Sequence, residues 1–365
     1  MSLDQLHQLP EAVQQAILNG PALTPPPGIL PDLDNPPNLN SLGLAVTTIC
    51  LSVSTVVSGL AVYAKLHYVK EVHTEDFLVL AGYGLVFGVC YCLYESSTGV
   101  GFFVHQWNVR VKDLAHLFYI VHVGSLLYSV GIMLFKIAIL LQWIRIFVPR
   151  GTKSSFYWTC LSVVGINILL YSIIVIIILA ACKPFRRLWD QTIPGSCSAN
   201  RQIIDVSTAV GNLVSDIIIL VLPQGMIWQL RIKTQKKVGV AFIFLVGIFA
   251  IISAAFRVVA SLRFLWSVDK TYNITAVALW GIAELTCAIL IFCVPSIPKI
   301  FRESALSLKP FAALMSWHKT FTGRSDSRDG LSWPSIGNRP LALDSLCDPN
   351  FDYDMRQWQK DSAKV

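Results

Sequence analysis

Residues 157–181 read YWTCLSVVGINILLYSIIVIIILAA, without a single Asp, Glu, Lys or Arg. A helix needs roughly 20 apolar residues to cross the hydrocarbon core of a bilayer. One that is apolar on every side is made for burial or for lipid. Comparable stretches recur along the chain, at about 42–64, 76–98, 117–143, 204–228, 238–262 and 274–298. Together they predict an all-α polytopic membrane protein, a bundle of seven transmembrane helices spanning 42–300. The second span is the least apolar, diluted by Gly82, Gly84, Gly88, Glu95, Ser96 and Ser97. Its Gly84-x-x-x-Gly88 spacing predicts close approach of a neighbouring helix.

Composition agrees. The 365 residues are 54% hydrophobic and 14% charged, with a mean hydropathy of +0.58. A soluble domain carries about 25% charge. The net charge of +7 is read as attraction to anionic lipid on the cytoplasmic side, so the bilayer is the expected partner and nucleic acid is not.

Orientation follows from Lys and Arg. With the N-terminus outside, the inner segments hold twelve: Lys65, Lys70, Arg145, Arg150, Lys153, Arg231, Lys233, Lys236, Lys237, Lys299, Arg302 and Lys309. The outer loops hold eight: Arg110, Lys112, Lys183, Arg186, Arg187, Arg201, Arg263 and Lys270. The bias predicts an outer N-terminus and a cytoplasmic C-terminus. This topology puts the sequon Asn273-Ile274-Thr275 in an outer loop, as a glycosylation site at Asn273. It puts Cys182 and Cys197 in the outer loop after span four, where a disulfide would persist, two free thiols being the alternative. Cys50, Cys90, Cys92, Cys160, Cys287 and Cys293 fall inside spans as small core residues.

Residues 1–41 contain no Lys or Arg, hence no basic leader region, and the first span is expected to direct its own insertion. Leu6, Leu9, Val13 and Ile17 make a short amphipathic pattern, and the Pro-rich run from Pro21 to Pro37 an extended lead-in. The polar, Ser-rich residues 301–365 are expected to form a mostly disordered cytoplasmic tail.

Ionisable residues inside a bilayer are costly and need a partner or a task. Lys136, Asp216, Arg257 and Glu284 are such residues. Each lies on a polar stripe of helical period: His122, Ser125, Ser129 and Lys136; Asp205, Thr208, Asn212 and Asp216; Ser253, Arg257 and Ser261; Trp280, Glu284 and Cys287. Lipid offers the stripes no partner, so they are expected to face one another, with Lys136, Asn212, Asp216, Arg257 and Glu284 forming an intramembrane polar cluster. Depth along the helices matches Arg257 with Glu284 and Lys136 with Asp216, each pair within about two turns. Such pairs fix helix register or form a site that responds to a ligand or ion, two roles the sequence does not separate. The histidines show no i, i+4 pair, and no metal site is expected.

The chain resembles the fungal rhodopsin-domain integral membrane proteins, a group with receptor-like plasma-membrane members and the membrane protein of the satratoxin biosynthetic cluster. The resemblance rests on Pro25-Pro26-Pro27-Gly28 to Asn35-Pro36-Pro37; Leu127-Tyr128, Lys136, Leu140-Leu141 and Arg145-Ile146-Phe147; and Cys182-Lys183-Pro184, Trp189-Asp190 and Gly195-Ser196-Cys197. It continues in Asn212, Asp216, Leu222-Pro223, Trp228-Gln229-Leu230, Lys236-Lys237, Gly247, Arg257, Glu284 and Pro295. It implies seven spans, an outer N-terminus and no established reaction. Retinal is not expected, because residues 274–298 contain no lysine for a Schiff base. The expected function is receptor-like sensing of a small molecule at the plasma membrane, with a cytosolic signalling partner at Arg145, Lys236 and Lys237. The alternative is an accessory membrane protein, or a membrane enzyme using Asp216 or Glu284 as proton donor, in a secondary-metabolite cluster.

Overall fold

The computed structural model describes residues 9–69, 72–148, 154–197, 201–229 and 234–296. A short helix α1 (Glu11–Asn19) precedes seven long ones: α2 (Asn40–Ala64), α3 (Thr74–Thr98), α4 (Val111–Phe147), α5 (Ser155–Ala180), α6 (Arg201–Gln229), α7 (Thr234–Trp266) and α8 (Lys270–Cys293). All seven are long and apolar enough to cross a membrane. The tail at 301–365, with Cys347, lies outside the described residues, as do the side chains of Lys236 and Lys237.

Side-chain pattern sets each helix's place. On α5, Cys160, Val164, Asn167, Tyr171 and Ile174 are buried at spacings of 4, 3, 4 and 3. Ile166, Leu169, Ile173 and Ile176 stand exposed between them. One narrow stripe faces protein and the rest is apolar surface of the kind that lipid covers. The helices close a ring, with each packed on the next and α8 returning to α2. α4 and α8 also pack on each other across the centre, and they are the most buried of the seven.

Several helices run beyond their apolar stretch. α4 starts at Val111, six residues before the expected boundary, because Lys112 and Asp113 extend the helix into polar surroundings. α8 starts at Lys270, capped by Asp269, which accepts from Tyr272 N at 3.4 Å. The sequon is therefore helical, a correction to its loop placement. Asn273 Nδ2 donates to Asp269 O at 2.8 Å and Ser267 Oγ at 3.0 Å. Thr275 is buried, and its hydroxyl accepts from Phe103 N at 3.2 Å. The glycine expectation also changes. A Cβ on Gly88 would meet Leu127 Cδ1 at 2.8 Å, but one on Gly84 would meet nothing within 4 Å. The tight companion of Gly88 in α3 is Gly82, against Phe135.

After α5 the chain forms a hairpin, β1 (Cys182–Lys183) antiparallel to β2 (Ser196–Cys197), with Cys182 and Cys197 joined by the expected disulfide. Arg187 donates to Ile193 O inside it. Phe185 and Trp189 rest on α4, with Trp189 edge-on to Tyr119 at 5.3 Å between ring centres. The same end is covered by a second layer. Ala22 N donates to Val109 O at 2.8 Å, Phe102 N to the Asn40 side chain at 2.7 Å, and Arg110 pairs with Asp34. The connection from α3 to α4 is fastened to α8: His105 Nδ1 lies 2.6 Å from Asp269 Oδ2, and Thr271 Oγ1 donates to Val104 O at 2.8 Å. The opposite end is held by ion pairs of Lys65 with Asp76 and Arg145 with Glu75.

Candidate functional site

At mid-depth the polar stripes of α4, α6, α7 and α8 converge with one residue of α5. The structure brings all five expected residues into one network, with both expected pairs in it and Asn212 joining them. Lys136 Nζ lies 2.8 Å from Asp216 Oδ1, and it donates to Asn212 Oδ1 at 2.8 Å and Asn212 O at 3.1 Å. Arg257 Nε lies 3.1 Å from Glu284 Oε2. Asn212 joins the halves: its amide donates to Asp216 Oδ2 at 3.1 Å and to Glu284 Oε1.

Two phenols complete the network. Tyr171 of α5 donates to Asn212 Oδ1, and Tyr128 of α4 donates to Glu284 Oε2 at 2.8 Å. The Arg257 guanidinium lies 4.6 Å from the Tyr128 ring centre, in cation–π range. Tyr128 enters the sequence reading only within the family resemblance and Tyr171 not at all, because an aromatic in an apolar span reads as core. A signal exists all the same: Tyr128 lies within one turn of Ser125 and Ser129, and Tyr171 shares the buried stripe of α5 with Asn167.

Lys136, Asn212, Arg257 and Glu284 are at most 5% exposed. Ions at such depth are tolerable only when paired and hydrogen-bonded. Taken as ions, the two bases and two acids cancel. Lys136, Asp216 and Glu284 are served in this way. Arg257 is served only by charge: its Nε faces Glu284 without a hydrogen bond, its Nη2 atom is buried without a hydrogen-bond partner, and so is Ser261 Oγ one turn along α7.

Each side of this charged layer has a cavity. On the hairpin side a cavity of about 110 Å³ is lined by Arg257, Tyr128, Ser129, Thr208 and Ser261 together with Leu93, Ile120, Ile178, Ile274 and Ile282. On the far side one of about 30 Å³ is lined by Lys136, Asp216 and Glu284 with Ile132, Trp143 and Ile219. The smaller could accommodate one or two waters and the larger a small molecule. The two share no lining residue.

The remaining expected residues lie elsewhere. Cys182 and Cys197 clamp the hairpin, Asn273 sits in the first turn of α8, and Arg145 pairs with Glu75 at the opposite end. Among the described residues no cluster of three or more His, Cys, Asp or Glu could hold a metal.

Comparison with known proteins follows the same lines. Residues 60–303 match the family described as the fungal rhodopsin domain. The chain is 37% identical over 291 residues to "Fugralins biosynthesis cluster protein 2" of Gibberella zeae, an alignment covering 79% of this chain and 72% of the relative. It is 30% identical over 199 residues to a "SAT4 family membrane protein" of Emericella nidulans, covering 54% of this chain and 50% of that one. "Receptor GIN3" of Arthrobotrys oligospora is 24% identical over 292 residues, covering 75% of this chain and 66% of the relative. No solved structure matches.

Proposed function

Because the chain belongs to the fungal rhodopsin domain family, we propose that it is a receptor-like protein of the plasma membrane, with its N-terminus outside, that senses a small lipophilic molecule. The observation that carries this reading is Arg257: a buried guanidinium paired with Glu284 on one side, with an unpartnered nitrogen on the wall of a cavity on the other. The cavity lies toward the end that the charge count assigns to the outside.

A ligand shifts an equilibrium only through different affinities for two states. A molecule that meets the free Nη2 of Arg257 changes how the same guanidinium holds Glu284. Glu284 is bonded to Asn212, which holds Lys136, so a change at Arg257 reaches α4, α6 and α8 together. Their opposite ends, with Arg145 at the end of α4, would present the change to a cytosolic partner. A trifluoromethyl label at Ile146→Cys, in a Cys347→Ser background, tests this in nanodiscs, since Ile146 is exposed at that end. A panel of small ketones, lactones and carboxylic acids should contain at least one compound that moves the label signal saturably. Arg257→Lys should weaken that response about tenfold. A label that no compound moves would count against the reading.

The alternative is an accessory role in secondary metabolism, favoured by the relative named as a biosynthesis cluster protein. It predicts that deletion of the gene changes the amount of one secondary product. A receptor instead changes transcription more broadly.

A further inference from the structure

We infer that the hairpin-side cavity binds a neutral carbonyl compound (a ketone, aldehyde, ester or lactone on a small apolar body) through Arg257 and Ser261, and that it rejects carboxylates. This rests on the receptor-like reading and names its ligand class.

Arg257 Nη2 and Ser261 Oγ stand four residues apart on α7, one above the other on the same face. Both residues line the cavity, Arg257 is 5% and Ser261 1% exposed, and neither atom has a partner. A guanidinium nitrogen only donates, so the group it meets must accept. A buried donor left unmet is a standing cost, which an incoming oxygen removes.

Charge selects among acceptors. The ions beneath the cavity already cancel in two pairs, Lys136 with Asp216 and Arg257 with Glu284. A carboxylate would bring a net negative charge to hydrocarbon depth and compete with Glu284 for the same guanidinium. A carbonyl oxygen satisfies Nη2 and brings no charge. Ser261 can donate to its second lone pair.

Size limits the body. A cavity of roughly 150 Å³ takes benzene, so the cavity of about 110 Å³ suits a molecule of similar or slightly smaller bulk. Leu93, Ile120, Ile274 and Ile282 offer it apolar walls.

Cyclopentanone labelled with ¹³C at the carbonyl is a suitable probe, followed by infrared difference spectra of the full chain in nanodiscs. The wild type should show a saturable carbonyl band shifted to lower frequency than the ketone gives in protein-free nanodiscs. Ser261→Ala, which removes a hydroxyl with no partner in the fold, should weaken binding about fivefold and reduce the shift. Arg257→Lys should lose the shift, and cyclopentanecarboxylate should not displace the ketone. Absence of a shifted band in the wild type, a shift unchanged in Ser261→Ala, or displacement by the carboxylate would each overturn the inference. The Ile146→Cys label separates this from the receptor-like reading. A carboxylate that moves the label while the ketone band stays unshifted preserves that reading and removes the neutral-carbonyl site. A shifted band with an unmoved label preserves the site and removes the receptor.

Discussion

Asn212, which carries no charge, touches four members of the intramembrane network: Lys136, Tyr171, Asp216 and Glu284. An amide can both donate and accept, so it reconciles a base on one side with two acids on the other. Asn212→Leu should leave several buried polar groups unmet and cost about 3 kcal/mol, read as a fall in thermal unfolding midpoint in detergent. Tyr128→Phe removes a single hydrogen bond and should cost about 1 kcal/mol. For Lys136→Met and Asp216→Leu each single change strands a partner, whereas the double change strands neither. The double should therefore cost about 2 kcal/mol less than the sum of the singles, and strict additivity would speak against direct pairing.

At the scale of the helix, burial decides what a glycine is for. A Cβ at Gly82 would sit 2.8 Å from Phe135 Cε1, and Phe135 is fully buried. Gly82→Ala should destabilise the bundle by about 1–3 kcal/mol. Gly84, two residues on, has nothing within 4 Å of the same position. There alanine should be neutral, or stabilising by up to about 1 kcal/mol, since the change only improves helix propensity. Paired measurements of unfolding midpoint check the contrast. The glycine spacing in the sequence could not make this distinction, because facing a neighbour or facing lipid depends on helix rotation. Helix ends were hidden for a related reason. Hydropathy marks where the hydrocarbon stops, while α4 and α8 continue until a cap such as Asp269 stops them.

For the molecule as a whole, the seven spans were legible because lipid imposes one composition on every crossing. The charged pairs were legible because each polar stripe keeps the helical period. Their gathering into one cluster with Asn212 was expected too, but the hub role of Asn212 and the part of two tyrosines that look like ordinary core were not legible. The hairpin is the other whole-molecule feature, clamping the cover over α4. Replacing Cys182 and Cys197 together by Ser should cost about 3 kcal/mol for a closed loop of 15 residues, seen as a lower unfolding midpoint that reductant no longer changes. Last, the polar layer between the cavities has an electrical meaning. Lys136, Asp216, Arg257 and Glu284, paired with one another, stand between two cavities that share no lining residue, a poor route for a file of water. Under voltage clamp, cells making this chain should pass no more current than their neighbours, at any potential that leaves those four in place.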